Sequence, residues 1–282
     1  MPDNDKVREL HDRLLAQVEA LVDGDDWRRF LAVAARFHRY SASNVLLILL
    51  QAPNATRVGG YRRWQSLGRQ VRKGERGIAI FAPCVYRARP LDDDEAAGAP
   101  ELARVLRGFR IAHVWDESQT DGDPLPDVRP QLLAGEAPAG LWDGLAREVA
   151  DAGYELTLGQ CGGANGRTSY ATRTVTVRDD VDDAQATRTL MHELAHVWLH
   201  DPDEALHHRG VAEVEAESTA YVVCQAAGMV TDGYSLPYVA RWSGGDPEKV
   251  RLTAERVIGA SRRALIAVGI AQGREEAEPV PA

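Results

Sequence analysis

Apolar positions recur along this chain with helical and strand-like spacings in turn. Trp27, Phe30, Leu31, Ala34 and Phe37 fall three and four apart, the spacing of a half-buried helix. Asn44 to Gln51 is too apolar to be exposed, and Ser41 or Ser43 is placed to cap it. Gly59-Gly60 breaks the pattern, and a short helix fits Tyr61 to Leu67 before Gly68. Two strands are predicted next: Gly77 to Tyr86, entered through the turn Lys73-Gly74-Glu75-Arg76-Gly77, and Phe109 to Trp115. Pro90 to Pro100 reads as a loose acidic loop, and the Pro- and Gly-containing stretch 121–139 as a linker. Beyond it the pattern predicts a helix near Leu141 to Ala152, a strand Tyr154 to Leu158 and a strand Val175 to Val177. Long helices follow over about Asp183 to Leu199, Val211 to Gly228 and Pro247 to Gly269. Gly159 to Gly166 reads as a turn, because it lacks the glycine spacing of a dinucleotide fingerprint. The expectation is an α+β protein of two domains, 1–130 and 131–270, with a disordered polar tail at 271–282.

The longest unbroken apolar run, Ile78 to Tyr86, is nine residues and contains Pro83. A spanning helix needs about 20, so no membrane association is expected. The polar start, Met1-Pro2-Asp3-Asn4-Asp5-Lys6, reads as no signal peptide. Cys84, Cys161 and Cys224 are far apart and form no CxxC pair, which points away from a disulfide framework and toward the cytoplasm. The net charge of −9 by itself disfavours nucleic acid. Its distribution does not: residues 57–90 hold nine basic groups and one acid.

The strongest chemical signal is His192-Glu193-Leu194-Ala195-His196. Histidines four apart on a helix share a face, which suits two imidazoles on one zinc ion. Glu193, between them, is the candidate general base. A catalytic zinc needs a third protein ligand. The position a metzincin would use holds Pro202. A gluzincin-type site takes a Glu from a following helix, where Glu213, Glu215 and Glu217 stand. Glu213 and Glu217 share a face, with Glu213 assigned as ligand and Glu217 as the carboxylate orienting a ligating His. Glu215, rotated off that face, is expected in solvent. His200, His207 and His208 are expected to pack or lie at the surface. Tyr221, Tyr234, Tyr238 and His208 are candidates for oxyanion stabilisation.

HExxH followed by Glu213-x-x-Ala216-Glu217-x-x-Ala220 resembles the IrrE/ImmA-type zincin metallopeptidases, over about residues 138–230. Glu217 stands where those carry Asn or Asp, and Thr219 where they carry Phe. The resemblance implies peptide-bond hydrolysis by a zinc-activated water, with a substrate-holding edge strand assigned to Arg173–Arg178. In the first half, Tyr61, Trp64, Arg62, Arg63, Arg69, Arg72, Lys73 and Arg76 interleave aromatics with cations, the composition of a single-strand binding site. The same residues also fit a solvated basic hairpin with Tyr61 and Trp64 in the core. These segments, together with Val114-Trp115-Asp116-Glu117-Ser118-Gln119-Thr120, resemble the N-terminal domain of ArdC-type antirestriction proteins. That resemblance implies single-stranded DNA binding ahead of a zincin domain, in the order found here.

Three functions compete. The first is a DNA-binding zinc metallopeptidase of ArdC type, acting on an unidentified protein substrate. The second is a single-strand-binding antirestriction module whose zinc site is structural or inactive. The third is an acidic DNA mimic, disfavoured because the longest acidic run is only Asp92 to Glu95.

Overall fold

A computed structural model describes residues 2–19, 21, 24–87, 104–125, 135–202, 209–229 and 242–271. The expected loop 90–100 and tail 271–282 lie almost wholly outside these residues. So do the middle of the expected linker, His207, His208, Tyr234 and Tyr238.

Three helices open the chain: α1 (Pro2–Glu19), α2 (Gly24–Arg36) and α3 (Ala42–Gln51). Asp25 and Asp26 occupy the first turn of α2, where carboxylates oppose the helix dipole. Its apolar stripe, Trp27, Phe30, Leu31 and Ala34, is fully buried. Ser41 caps α3 by accepting from the Asn44 amide. Short elements follow: β1 (Val58–Gly59), α4 (Tyr61–Ser66) and β2 (Gln70–Val71). The long hairpin β3 (Ile78–Arg87) and β4 (Arg104–Asp116) comes next, then β5 (Thr120–Asp121). The hairpin strands are antiparallel, with Ile78 opposite Val114 and Phe81 opposite Ile111. Strand β4 is longer than the hydrophobic pattern marks it, and β3 has the expected length shifted by one residue.

In the sheet order β1-β4-β3, strand β3 is an edge. An edge left open exposes backbone groups to foreign pairing. Helix α3 closes this one with two amide side chains seven residues apart. Asn44 donates to and accepts from the Phe81 backbone at 2.9 Å each. Gln51 does the same at Ala79, also at 2.9 Å each. The inner hairpin face, Ile78, Ile80, Ala82 and Val114, is buried.

The second half contains α5 (Leu141–Asp151), β6 (Glu155–Leu158), β7 (Gly166–Ser169) and β8 (Thr174–Val177). Three further helices are α6 (Asp183–Leu199), α7 (Arg209–Ala226) and α8 (Pro247–Ala267). Strand β7 carries no hydrophobic alternation and begins at Gly166, the last residue of the expected turn. Its partner β8 lies in the middle of the sheet order β6-β8-β7. This corrects the assignment of Arg173–Arg178 as the substrate-holding edge: β8 is paired on both sides, and the edge against α6 is β7.

One hydrophobic cluster runs through both halves of the chain. Trp27 on α2 reaches α7, where its indole N–H donates to Ser218 Oγ at 2.9 Å. Its ring meets Trp242 edge-on at 5.5 Å. The fold class is α+β, and no described helix is long and apolar enough to cross a membrane.

Candidate metal centre and nucleic-acid surface

Helix α6 starts at Asp182, whose side chain accepts from the Gln185 amide. Leu190, Met191, Leu194 and Ala195 anchor one side in the core. That leaves His192 and His196 on the side facing α7. Their Nε2 atoms are 3.1 Å apart. Glu213 on α7 places Oε2 3.5 Å from the first and 3.9 Å from the second. These ligand atoms all lie within 4.8 Å of one another. An ion with bonds of 2.0–2.1 Å in tetrahedral array needs ligand atoms about 3.3 Å apart. The donor set of two imidazoles and a carboxylate therefore fits a divalent metal in size and chemistry. Glu213 is the most exposed of the three.

Behind the ligands, Glu217 Oε2 lies 3.2 Å from His192 Nδ1. Its other oxygen accepts from Arg188. Burial alone would push the His192 imidazolium down, but Glu213 and Glu217 outweigh it and hold its pKa up at about 9. Burial and the His192 charge push neighbouring His196 down to about 3. The proton on His192 sits where a metal ion would balance the same carboxylates. Metal binding at pH 7 is therefore expected to release about one proton from His192. Calorimetric titrations in buffers of differing ionisation heat will give that number as a slope. Zinc affinity is expected to rise with pH until His192 has lost its proton, near pH 9.

Glu193 is buried, at 6% exposure. Its Oε2 accepts from Thr168 Oγ1 at 2.7 Å. Burial raises its carboxyl above the usual range, against the pull of His192 and Thr168. These groups line a cleft of about 590 Å³ whose wall includes Arg167, Thr168 and Tyr170. Gly166 lets β7 come this close. A Cβ there would lie 2.5 Å from Thr189 Cγ2 and 2.7 Å from Glu193 Oε1. The glycine is needed for space rather than for its backbone angle. Gly166→Ala is expected to lower the melting temperature by several degrees, the scale of about 1–3 kcal/mol for overpacking. It should also weaken whatever activity depends on Glu193. A variant as stable and active as the parent would contradict this reading.

Glu215 is a correction. It is not in solvent but 2% exposed, paired with Arg256 Nε at 3.1 Å and lying 3.0 Å from His200 Nε2. His200 in turn stands 3.0 Å from His196, Nδ1 to Nδ1. The signal for His200 was visible as a third histidine at the same four-residue step. Nothing in the sequence pattern marked Arg256. Tyr221 is buried on α7 and does not line the cleft.

The basic residues of the first half divide. Trp64 is 2% exposed and donates its indole N–H to Trp115 O at 2.9 Å, so it is a core residue and offers no face to a base. Arg69 is 8% exposed and spends its guanidinium on Thr120, Gly122 and Asp123. Both are corrections to the expected nucleic-acid set. Arg62, Arg63, Lys73 and Arg76 are exposed. Arg72, also exposed, pairs with Glu75 at 2.8 Å and Asp121 at 3.6 Å. The Val114 to Thr120 segment is structural. Buried Asp116 accepts from the Thr56 and Arg57 amides at 2.7 and 3.1 Å, and it caps the turn at Ser118. Gln119 returns a bond to the Asp116 amide.

Tyr61, the other aromatic of the expected set, is 43% exposed on α4. What the sequence did not single out is the outer face of the hairpin, where Phe109 is 56% exposed. Tyr61 meets Trp115 at 6.2 Å, Trp115 meets His113 at 6.5 Å, and Phe81 meets Phe109 at 6.4 Å. The rings of Phe81, Phe109, His113 and Trp115 alternate with the buried positions along the two strands.

Comparison with known proteins agrees with this layout. Residues 4–115 match the family model described as the N-terminal domain of anti-restriction factor ArdC. The metal-free crystal structure of the antirestriction ArdC protein from plasmid R388 superposes with a TM-score of 0.52. It is 18% identical and covers 93% of this chain and 94% of that one. A Mn(II)-bound structure of the R388 protein gives a TM-score of 0.48 at 20% identity, covering 81% and 89%. An uncharacterized Bacillus anthracis protein, pXO2-81, is 26% identical over 90% of this chain. The chain spans about half the length of that relative, 49%. Residues 4–115 thus match the ArdC N-terminal domain model, and the chain has the fold of the R388 ArdC protein.

Proposed function

We propose that this protein is a single-stranded-DNA-binding zinc metallopeptidase of the antirestriction type. It would be divided near residue 130 into a DNA-binding and a zincin-like part, and would work in the cytoplasm on a protein substrate. The observation that carries the peptidase reading is the meeting of His192, His196 and Glu213 beside buried Glu193 in one open cleft. A purely structural metal has no use for a general base beside its ligands. Zinc, when held by these three residues, supplies a Lewis acid that polarises the scissile carbonyl and acidifies water. Glu193, with its carboxyl raised by burial, takes a proton from water and passes it to the leaving amine. Thr168 holds the Glu193 carboxylate in place through its 2.7 Å bond. Glu217 anchors His192 and is itself anchored by Arg188. Strand β7, the sheet edge against α6, offers backbone groups to an extended peptide. Three free cysteines suit a reducing compartment.

The DNA reading rests on the outer hairpin face. Exposed rings with Arg62, Arg63, Lys73 and Arg76 nearby in the chain combine stacking platforms with phosphate charge. Phe109→Ala removes an exposed ring at little cost to stability. It is expected to weaken binding of a fluorescent single-stranded oligonucleotide about 5- to 100-fold, the scale of one lost stacking contact. Rising salt should weaken the parent's binding steeply. No binding by the parent at low salt would refute the DNA reading. Unchanged binding by Phe109→Ala would move the surface elsewhere.

A further inference from the structure

Behind His196 lies a chain of groups that no ligand requires. Arg256 Nε forms an ion pair with Glu215 Oε2 at 3.1 Å. The same oxygen lies 3.0 Å from His200 Nε2. His200 Nδ1 lies 3.0 Å from His196 Nδ1. His200 and Glu215 are buried, at 8% and 2% exposure, so water does not substitute for either partner. The two imidazoles lie one helical turn apart, tilted by 53° with centroids at 5.0 Å.

The direction of each hydrogen bond follows from what each group can do. An ionised carboxylate only accepts, so His200 Nε2 carries the proton. A neutral imidazole protonated at Nε2 has only a lone pair at Nδ1. His196 must therefore donate from its own Nδ1. Its Nε2 is then bare, and that is the atom facing His192 and Glu213. The ring nitrogen of a ligating histidine is ordinarily oriented by one acceptor on its other nitrogen. Here the acceptor is a second histidine, and buried Glu215, paired with the partly exposed Arg256, sets the tautomer of that histidine.

We infer that His200 is a positioning residue: held by Glu215 and Arg256, it locks His196 in the Nδ1–H tautomer and presents a bare Nε2 to the metal. This inference rests on the metal-site reading above and deepens it. In the metal-free parent, long-range proton–nitrogen NMR of the His196 ring is expected to show a protonated Nδ1 and an unprotonated Nε2. An Nε2–H tautomer there would overturn the inference, and this measurement needs no variant. His200→Asn keeps an acceptor oxygen near the place of Nδ1, whereas His200→Leu has similar bulk and no acceptor. In competition with a chromophoric chelator, the Leu variant is expected to bind zinc about 10- to 100-fold more weakly than the parent, and the Asn variant to lose less than about threefold. Equal losses in the two variants would reduce His200 to packing and overturn the inference. If the parent takes up no zinc, the metal reading fails, and the tautomer of the metal-free ring still decides the role of His200.

Discussion

Glu193→Gln is expected to lower zinc-dependent peptide hydrolysis by about 10²- to 10⁴-fold, the usual contribution of a general base, while leaving zinc content unchanged. Glutamine fills the same space against Gly166 and Thr189 and keeps an oxygen for the Thr168 hydroxyl. It has no lone pair basic enough to accept a proton from water. The three ligand atoms lie on other residues, so the metal should stay. His196→Ala serves as the contrasting variant, expected to lose metal and activity together. The parent's pH–rate profile should carry the same signature. Burial lifts the Glu193 carboxyl above the ordinary range, so the acidic limb should fall at a higher pH than a solvent-exposed glutamate would give. Full activity in the Gln variant would exclude Glu193 as the base, whereas no zinc-dependent hydrolysis by the parent would favour a structural or inactive zinc site.

The candidate metal site was legible because its residues are local to two helices. Histidines at 192 and 196 and carboxylates at 213 and 217 each share a helix face by arithmetic. The apolar residues around them showed that both helices would pack. Glu215 defeated the same reasoning, because its partners lie elsewhere: His200 on the loop end of α6 and Arg256 on α8. Helical periodicity places a residue on a face but not in contact with a distant element. Strand β7 was missed for a related reason. Its four residues, Gly-Arg-Thr-Ser, have no apolar alternation, and it is a strand only because β8 pairs with it and α6 lies beneath. In the first half, counting cations found the basic character of 57–90 but not its allocation. Arg69 and Trp64 are bound to backbone carbonyls of the segment running from Trp115 to Asp123, contacts across about fifty residues that composition does not carry. The aromatic face of the hairpin follows from register. Once Ile78, Ile80 and Val114 point inward, Phe81, Phe109 and His113 must point out.

Trp27→Ala is expected to cost about 3–5 kcal/mol, the range for truncating a fully buried tryptophan, and its effect should reach the far half of the chain. The indole is 0% exposed. It packs on Phe30 and Trp242 and donates to Ser218 on α7. Removing it opens a cavity between α2 and α7 and strands the Ser218 hydroxyl. Ser218 directly follows Glu217, the residue that anchors His192, so a loosened α7 loosens the metal centre. Urea denaturation followed by circular dichroism should shift to a lower midpoint, and zinc affinity should fall in the same variant. Ser218→Ala removes only the hydrogen bond and is expected to cost about 1 kcal/mol, which separates the polar contact from the packing. If the two halves were independent in stability, Trp27→Ala would destabilise one transition and leave zinc binding untouched. The shared cluster of apolar residues requires the opposite: α2, the second helix of the first half, also braces the helix that carries Glu213. A ligand that stiffens the first half would then be felt at the cleft through α2 and Trp27, and zinc affinity measured with and without a single-stranded oligonucleotide would register the coupling in the parent and lose it in the variant.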